Sequence, residues 1–153
     1  MPTHTHTQLI YHIVFSTKYR EPTIERDQKK RLFAFIYQLL INKKCHLYRI
    51  NGVEDHIHIV THIPPSLTIS SLVKDIKVSS GLFIQREAIF KSFRGWQNGY
   101  GAFTANFASK DRLINYVKNQ EVHHQNKSFF DEYKGLLEEH GNAFDEKLEI
   151  RKL

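Results

Sequence analysis

One cysteine, one tryptophan, four prolines and seven glycines are all that the 153 residues hold of the types that staple, anchor, kink or loosen a chain. The lone Cys45 excludes an intrachain disulfide and any cysteine-rich zinc site, and it fits a reducing cytoplasm. No window reaches the roughly 18 consecutive apolar residues of a membrane helix, and the first residues, "MPTHTHTQ", lack an apolar signal core. No membrane association is therefore expected. A G-x-x-x-x-G-K-[ST] loop is absent, so no nucleotide cofactor is expected either. Asp27, Asp55, Asp75 and Asp111 show no spacing that would gather them, which argues against a two-metal carboxylate site. With no linker, low-complexity stretch or repeat, residues 1–153 read as a single domain.

What the chain does have is basic charge. Lys and Arg number 22 against 16 Asp and Glu, giving +6 and a pI near 9.4. The excess sits in "STKYREP", "DQKKRL", "NKK" and "LVKDIK". Such a balance favours polyanionic partners, nucleic acid above all, because binding releases condensed counterions.

Hydrophobic periodicity predicts the order of elements. "QLIYHIVFST" (residues 8–17) is apolar on both faces and β-branched, as a central strand should be. A helix is expected from about Glu25 to Lys43, with Leu32, Phe35, Ile36, Leu39 and Leu40 at helical spacing. "CHLYRI" and "VEDHIHIVTHI" read as two strands joined by a turn at Asn51-Gly52. A second helix is expected over about Ile69–Glu87 with Leu72, Val73, Ile76 and Phe83 inward, and a fourth strand over Gly99–Phe107. Ser109 then caps a helix from Lys110 to about His123, and "SFFDEYKGLLEEHG" forms the last helix, ended by Gly141. The β-α-β-β-α-β order predicts an α+β, ferredoxin-like antiparallel sheet over residues 8–108. Two additional C-terminal helices occupy about 109–141. On this reading the helices of the core cover one face of the sheet, and the other face stays open for a ligand or a second subunit.

The third strand is the unusual one. Side chains two apart share a face of a strand, so His56 and His58 project together, with Glu54, Val60 and His62 on the same side. Neutral imidazole is a common ligand for first-row metals. Two histidines alone are weak evidence of a site, since His4 and His6 repeat the spacing. A third ligand is needed. "LINYVKNQEVHH" offers one: Tyr116 and Gln120 are four apart, hence neighbours on one helical face. An amide oxygen can ligate a hard cation, and a phenol beside it can be activated as a nucleophile. Glu54 is a candidate to orient a ligand, and His123-His124 reads as a helix end.

At these residues the chain resembles a known family. "HIH" at His56–His58 looks like the histidine-hydrophobic-histidine (HUH) motif of single-strand DNA nucleases, and "YVKNQ" at Tyr116–Gln120 looks like the tyrosine helix of the single-tyrosine HUH insertion-sequence transposases. The likeness extends through "YHIVFSTKYREP", "GVEDHIHIVTHIPPSLTISSLVKDIKVSS", "GWQNGYGAFTANF" and "HHQNKSFFDEYKGLLEEHG". The resemblance implies a homodimeric, ferredoxin-like enzyme that uses Mg²⁺ or Mn²⁺. Such an enzyme recognises hairpins at the ends of a mobile element. It cuts and rejoins single-stranded DNA through a 5′-phosphotyrosine link. It further implies that His56, His58 and Gln120 are metal ligands and that Tyr116 is the nucleophile, serving its own subunit or its partner's. Lys18, Arg20, Lys74, Lys77 and Arg94 are the candidate phosphate contacts. Trp96, Tyr100 and Phe103 suit core or dimer packing better than base stacking.

Two other readings compete. A non-catalytic RNA- or DNA-binding module of recognition-motif type has the same element order, and "NGYGAFTANF" loosely echoes its aromatic strand. A domesticated transposase that processes repetitive palindromes would keep the same motifs.

Overall fold

The computed structural model describes residues 4–124 and 127–141. Its strands are β1 (Ile10–Ser16), β2 (His46–Val53), β3 (His56–His62) and β4 (Gly101–Ala105). Its helices are α1 (Lys29–Asn42), α2 (Ile69–Glu87), α3 (Lys110–Lys118), α4 (Gln120–His123) and α5 (Phe129–Glu139). The four strands form one sheet in the order β2-β3-β1-β4, and every pairing is antiparallel. That order follows from two interleaved βαβ units, each placing a strand of the other between its own pair. Among the described residues no helix is long and apolar enough to cross a membrane.

Alternation along β1 divides the interior into two layers. Ile13 and Phe15 join Ile57 and Ile59 of β3 under α1 and α2, where Leu32, Ile36, Leu40, Leu72, Val73, Ile76 and Ile84 complete the main core. Phe83 lies at its margin, stacked on Phe35 with ring centroids 4.4 Å apart. Ile10 and Val14 point the other way. They pack with Val60 and Phe103 against Val117 of α3 and Phe129, Tyr133 and Leu136 of α5. The second face of the sheet is therefore not open, as the element order suggested: the chain's own C-terminal helices cover it. Burying both faces is also what the near-continuous apolar composition of β1 requires.

Several boundaries differ from expectation, each for a local reason. The β2–β3 turn is Glu54-Asp55, because Val53 pairs with His56 and Asn51 with His58. Asn51 and Gly52 belong to the strand. A Cβ on Gly52 would lie 2.4 Å from the His56 carbonyl oxygen, so close approach of two strands, rather than a turn, demands this glycine. Helix α1 begins at Lys29, since Gln28 first closes a turn onto Glu25 and Ile24 is tied to Glu54 of the hairpin. Ser109 is not a side-chain cap; its own N–H is bound by the Asn106 side chain, which caps the preceding 3-10 turn. The expected helix to His123 breaks at Asn119 into α3 and α4. At that break Asn51 Nδ2 donates to the carbonyls of Val117 (3.2 Å) and Lys118 (2.9 Å) and ties the end of α3 to β2.

Candidate active site

His56 and His58 are fully buried, held in the centre of the sheet and roofed by α3, α4 and α5. Each ring is fixed at its Nδ1. His56 Nδ1 lies 2.7 Å from Asp55 Oδ1, and its ring stacks on Phe129. His58 Nδ1 lies 2.7 Å from Nε2 of the buried His12, with the two rings stacked. Both Nε2 atoms then point towards one carboxylate oxygen, Glu132 Oε1, at 3.2 Å from His56 and 3.1 Å from His58. Glu54, the expected orienting residue, is exposed in the turn; Asp55 beside it does that work.

Tyr116 and Gln120 reach the same point from above. The Tyr116 hydroxyl donates to Glu132 Oε2, and the phenol ring stands edge-on to both His12 and His58. Gln120 is fully buried; its Oε1 lies 3.4 Å from His56 Nε2, and its Nε2 donates to Glu132 Oε2 at 3.0 Å. The structure thus brings together His56, His58, Tyr116 and Gln120 within one chain.

Three members were missed. Glu132 of α5 touches every side chain just named, and His124, read as a helix end, places its Nε2 3.0 Å from Glu132 Oε1 and 3.0 Å from Gln120 Oε1. A signal for Glu132 existed. Phe129, Tyr133 and Leu136 mark the buried face of α5, and Glu132 lies on that face, where an unpaired carboxylate would be costly. His12 likewise sits at an inward position of a strand apolar on both sides.

The electrostatics follow from burial and crowding. Burial pushes His58 down to about 4, against the pull of Glu132, and with His56 and His124 adding to the effect. His12 is also held well below its ordinary value, first by burial and then by His58. For His56 burial acts the same way, but hydrogen bonds to Asp55 and Glu132 outweigh it and raise the ring. Burial opposes ionisation of Glu132 too, yet hydrogen bonds from His124, His56 and His58 hold it far below the carboxylate range. Tyr116 is driven well above a normal phenol by burial and by the Glu132 charge. Converging imidazole nitrogens, a carboxylate and an amide oxygen, with acceptors fixing the outer nitrogens, form a donor set suited to a divalent cation.

The expected phosphate contacts fall in two places. Lys74, Lys77 and Arg94 line a groove of about 1080 Å³ between α2 and residues 88–100. Lys77 Nζ already donates to the carbonyls of Gln97 and Gly99, and Arg94 pairs with Glu21. Lys18 is exposed, with Nζ 5.5 Å from the centroid of the Tyr19 ring. Arg20 is nearest the site: it lines a cleft of about 400 Å³ together with Asp55, His124 and Phe129. Tyr19 and Arg20 both adopt left-handed backbone (φ 57° and 54°), and Arg20 Nε is buried with no hydrogen-bond partner among the described residues. Trp96 packs against the main core and bonds Ser80 Oγ, Phe103 is buried, and Tyr100 is exposed.

The transposase for insertion sequence element IS200 of Salmonella typhimurium LT2 is 25% identical over 122 residues, covering 76% of this chain and 80% of that protein. The corresponding transposase of Salmonella typhi matches to the same extent. A Deinococcus radiodurans R1 protein described as a transposase shares the fold with a TM-score of 0.61 at 18% identity, covering 78% of this chain and 96% of its own. A REP-associated tyrosine transposase bound to a REP hairpin superposes with a TM-score of 0.58 at 15% identity, over 81% of this chain and 74% of its own. Residues 5–120 match the family described as "Transposase IS200 like", and the chain belongs to that family of transposases.

Proposed function

We propose that this protein cleaves and rejoins single-stranded DNA at hairpin-marked ends, with Tyr116 as nucleophile and a divalent cation held by His56, His58 and Gln120. One observation carries the reading. The Tyr116 hydroxyl and the Nε2 atoms of both histidines converge on the two oxygens of a single carboxylate, Glu132. A phosphate group has the same charge sign and similar reach, so the position Glu132 fills is where a scissile phosphate would meet nucleophile and cation together.

The reaction follows from the residues. Tyr116 Oη attacks phosphorus and forms a Tyr–O–P bond. The P–O3′ bond breaks and its electron pair stays on O3′, which takes up the proton lost by the phenol. The 5′-phosphate then remains on Tyr116, and attack by an incoming 3′-hydroxyl reverses the step. The new phosphodiester keeps roughly the energy of the old one, so rejoining needs no nucleotide. A bound divalent cation would supply Lewis acidity at the phosphate oxygens. Tyr116 is poorly ionised in the geometry described, because burial and then the Glu132 charge raise its pKa, and a divalent cation beside it would favour the phenolate. The hairpin as substrate is supported by the REP hairpin bound to the structural relative. A homodimer is implied by the family resemblance, and among the described residues β4 is an edge strand of the sheet, a place where a second copy could pair. The cis arrangement of Tyr116 with His56 and His58 favours a site completed within each subunit.

The recognition-motif alternative needs an open sheet face for base stacking. Here that face is covered by α3–α5 and carries buried imidazoles. Incubation of the protein with end-labelled single-stranded DNA and Mn²⁺ tests the proposal. The downstream fragment should migrate with the protein on a denaturing gel, and Tyr116→Phe should remove the adduct. Binding without any adduct would favour the non-catalytic module.

A further inference from the structure

The imidazoles and Glu132 are arranged more specifically than a ligand set of His56, His58 and Gln120 requires. His56 Nδ1 faces a carboxylate oxygen of Asp55 at 2.7 Å, and His124 Nδ1 faces the Lys127 carbonyl at 2.6 Å. Both partners can only accept, so each Nδ1 carries the hydrogen, and in the neutral ring Nε2 is left as a bare lone pair. Those two nitrogens face Glu132 Oε1 at 3.2 and 3.0 Å, and His58 Nε2 faces it at 3.1 Å. With no metal bound, protons on these Nε2 atoms make the hydrogen bonds to Glu132 described above, and a divalent cation held by the same nitrogens would take the place of those protons. Bonds of about 2.1 Å to four tetrahedral donors would set the donors roughly 3.4 Å apart. The three Nε2–Oε1 separations lie within a few tenths of an ångström of that spacing, and all four donor atoms lie within 4.8 Å of one another.

We infer that His124 and Glu132 are themselves ligands. The resting site is then a closed four-donor set, Nε2 of His56, His58 and His124 with Oε1 of Glu132. The inference rests on the metal-site reading given above and narrows it. Three imidazoles select a borderline first-row cation such as Zn²⁺, Co²⁺ or Mn²⁺, whereas Mg²⁺ demands a near-octahedral oxygen shell. Glu132 has a second role. Its Oε2 accepts from Tyr116 and from Gln120 Nε2, so the same carboxylate closes the coordination sphere and occupies the nucleophile. With a cation held there, a phosphate oxygen of entering DNA would take the position of Glu132 Oε1 and free Tyr116 from Oε2. Gln120 Oε1 stays beside His124 and His56, at 3.0 and 3.4 Å, as the oxygen donor of the opened site.

Titration of the metal-free protein with Co²⁺ tests this without reference to activity, because four-coordinate Co²⁺ absorbs strongly in the visible and six-coordinate Co²⁺ weakly. The wild type should give the strong bands, which Zn²⁺ displaces and excess Mg²⁺ does not. Glu132→Gln and His124→Gln should each weaken Co²⁺ binding by roughly tenfold or more and shift the spectrum. His124 lies at the rim of the site, so its variant reads the claim even where Glu132→Gln fails to fold. Wild-type affinity and spectrum in both variants, with binding lost in His58→Ala, would overturn the inference and leave the His56–His58 site standing. Unchanged binding in His58→Ala would instead remove the metal-site reading itself.

Discussion

Tyr116 of α3 and Glu132 of α5 are joined by a hydrogen bond from the phenol to the carboxylate, directly above His58 of β3. Three segments far apart in sequence therefore meet through one side chain. The placement of that side chain depends on how α3 and α5 dock on the sheet, and both dockings can be perturbed.

Asn51 holds the end of α3 through its two bonds to the Val117 and Lys118 carbonyls. Asn51→Ala should cost about 1–2 kcal/mol in urea unfolding, the net worth of two such bonds. Because the change loosens the junction between α3, with Tyr116, and α4, with Gln120, DNA cleavage should slow, while Co²⁺ binding through His56 and His58 should persist with reduced affinity.

Helix α5 rests on β4 at a glycine. A Cβ on Gly101 would lie 2.9 Å from Tyr133 Cε1 and 3.0 Å from Phe103 Cε2. Gly101→Val should overpack this seam at a cost of about 1–3 kcal/mol. It should lift Glu132 with the helix, lowering Tm and cation affinity together. The core under α1 and α2 is remote from the seam, so far-UV circular dichroism should change little.

Acid should destabilise the metal-free protein before its carboxylates titrate. His58, pushed to about 4, and His12, held low, are neutral when folded but accept protons near 6.5 once unfolded. The unfolded state thus binds more protons as pH falls from 6.5 towards 4, and stability drops by about 1.4 kcal/mol per pH unit for each such ring. His56, shifted the other way, acts only above 6.5, where its protonation favours the folded state, and leaves the slope below 6.5 unchanged. The expected result is a Tm that declines steadily from about pH 6.5 to pH 5, and a flat profile would contradict the buried neutral pair.

Arg20 combines strained backbone, a buried Nε with no partner among the described residues and a place on the cleft beside His124. Arg20→Ala should weaken single-strand binding and reduce its salt dependence by about one phosphate contact. Lys77→Met should behave differently. Lys77 is half-buried and pinned to the Gln97 and Gly99 carbonyls, so its loss should appear in stability more than in the salt slope of binding.

The order of elements was legible from periodicity, and α2 was found at its true bounds, Ile69–Glu87, since apolar spacing marks its buried face; the Thr68 side chain that caps it was not singled out. The turn at Asn51-Gly52 was misplaced because a glycine forced by strand contact looks the same as one forced by a turn. His56 and His58 were legible as a pair from alternation, but their burial was not. Nothing local reports that α3–α5 fold back over that face. Tyr116 and Gln120 were legible through helical spacing, although the helix breaks between them at Asn119 under the pull of Asn51. Glu132 and His124 join the site through tertiary packing, and only the apolar neighbours of Glu132 hinted at its burial.

The central claim is that Tyr116 becomes covalently attached to DNA. Digestion of the reacted protein and mass spectrometry of the peptide containing Tyr116 tests it most directly. The account predicts that this peptide carries a 5′-phosphonucleotide on the tyrosine, formed with Mn²⁺ and absent from His58→Ala. Cleaved DNA with an unmodified Tyr116 peptide, or a phosphonucleotide on another residue, would contradict it.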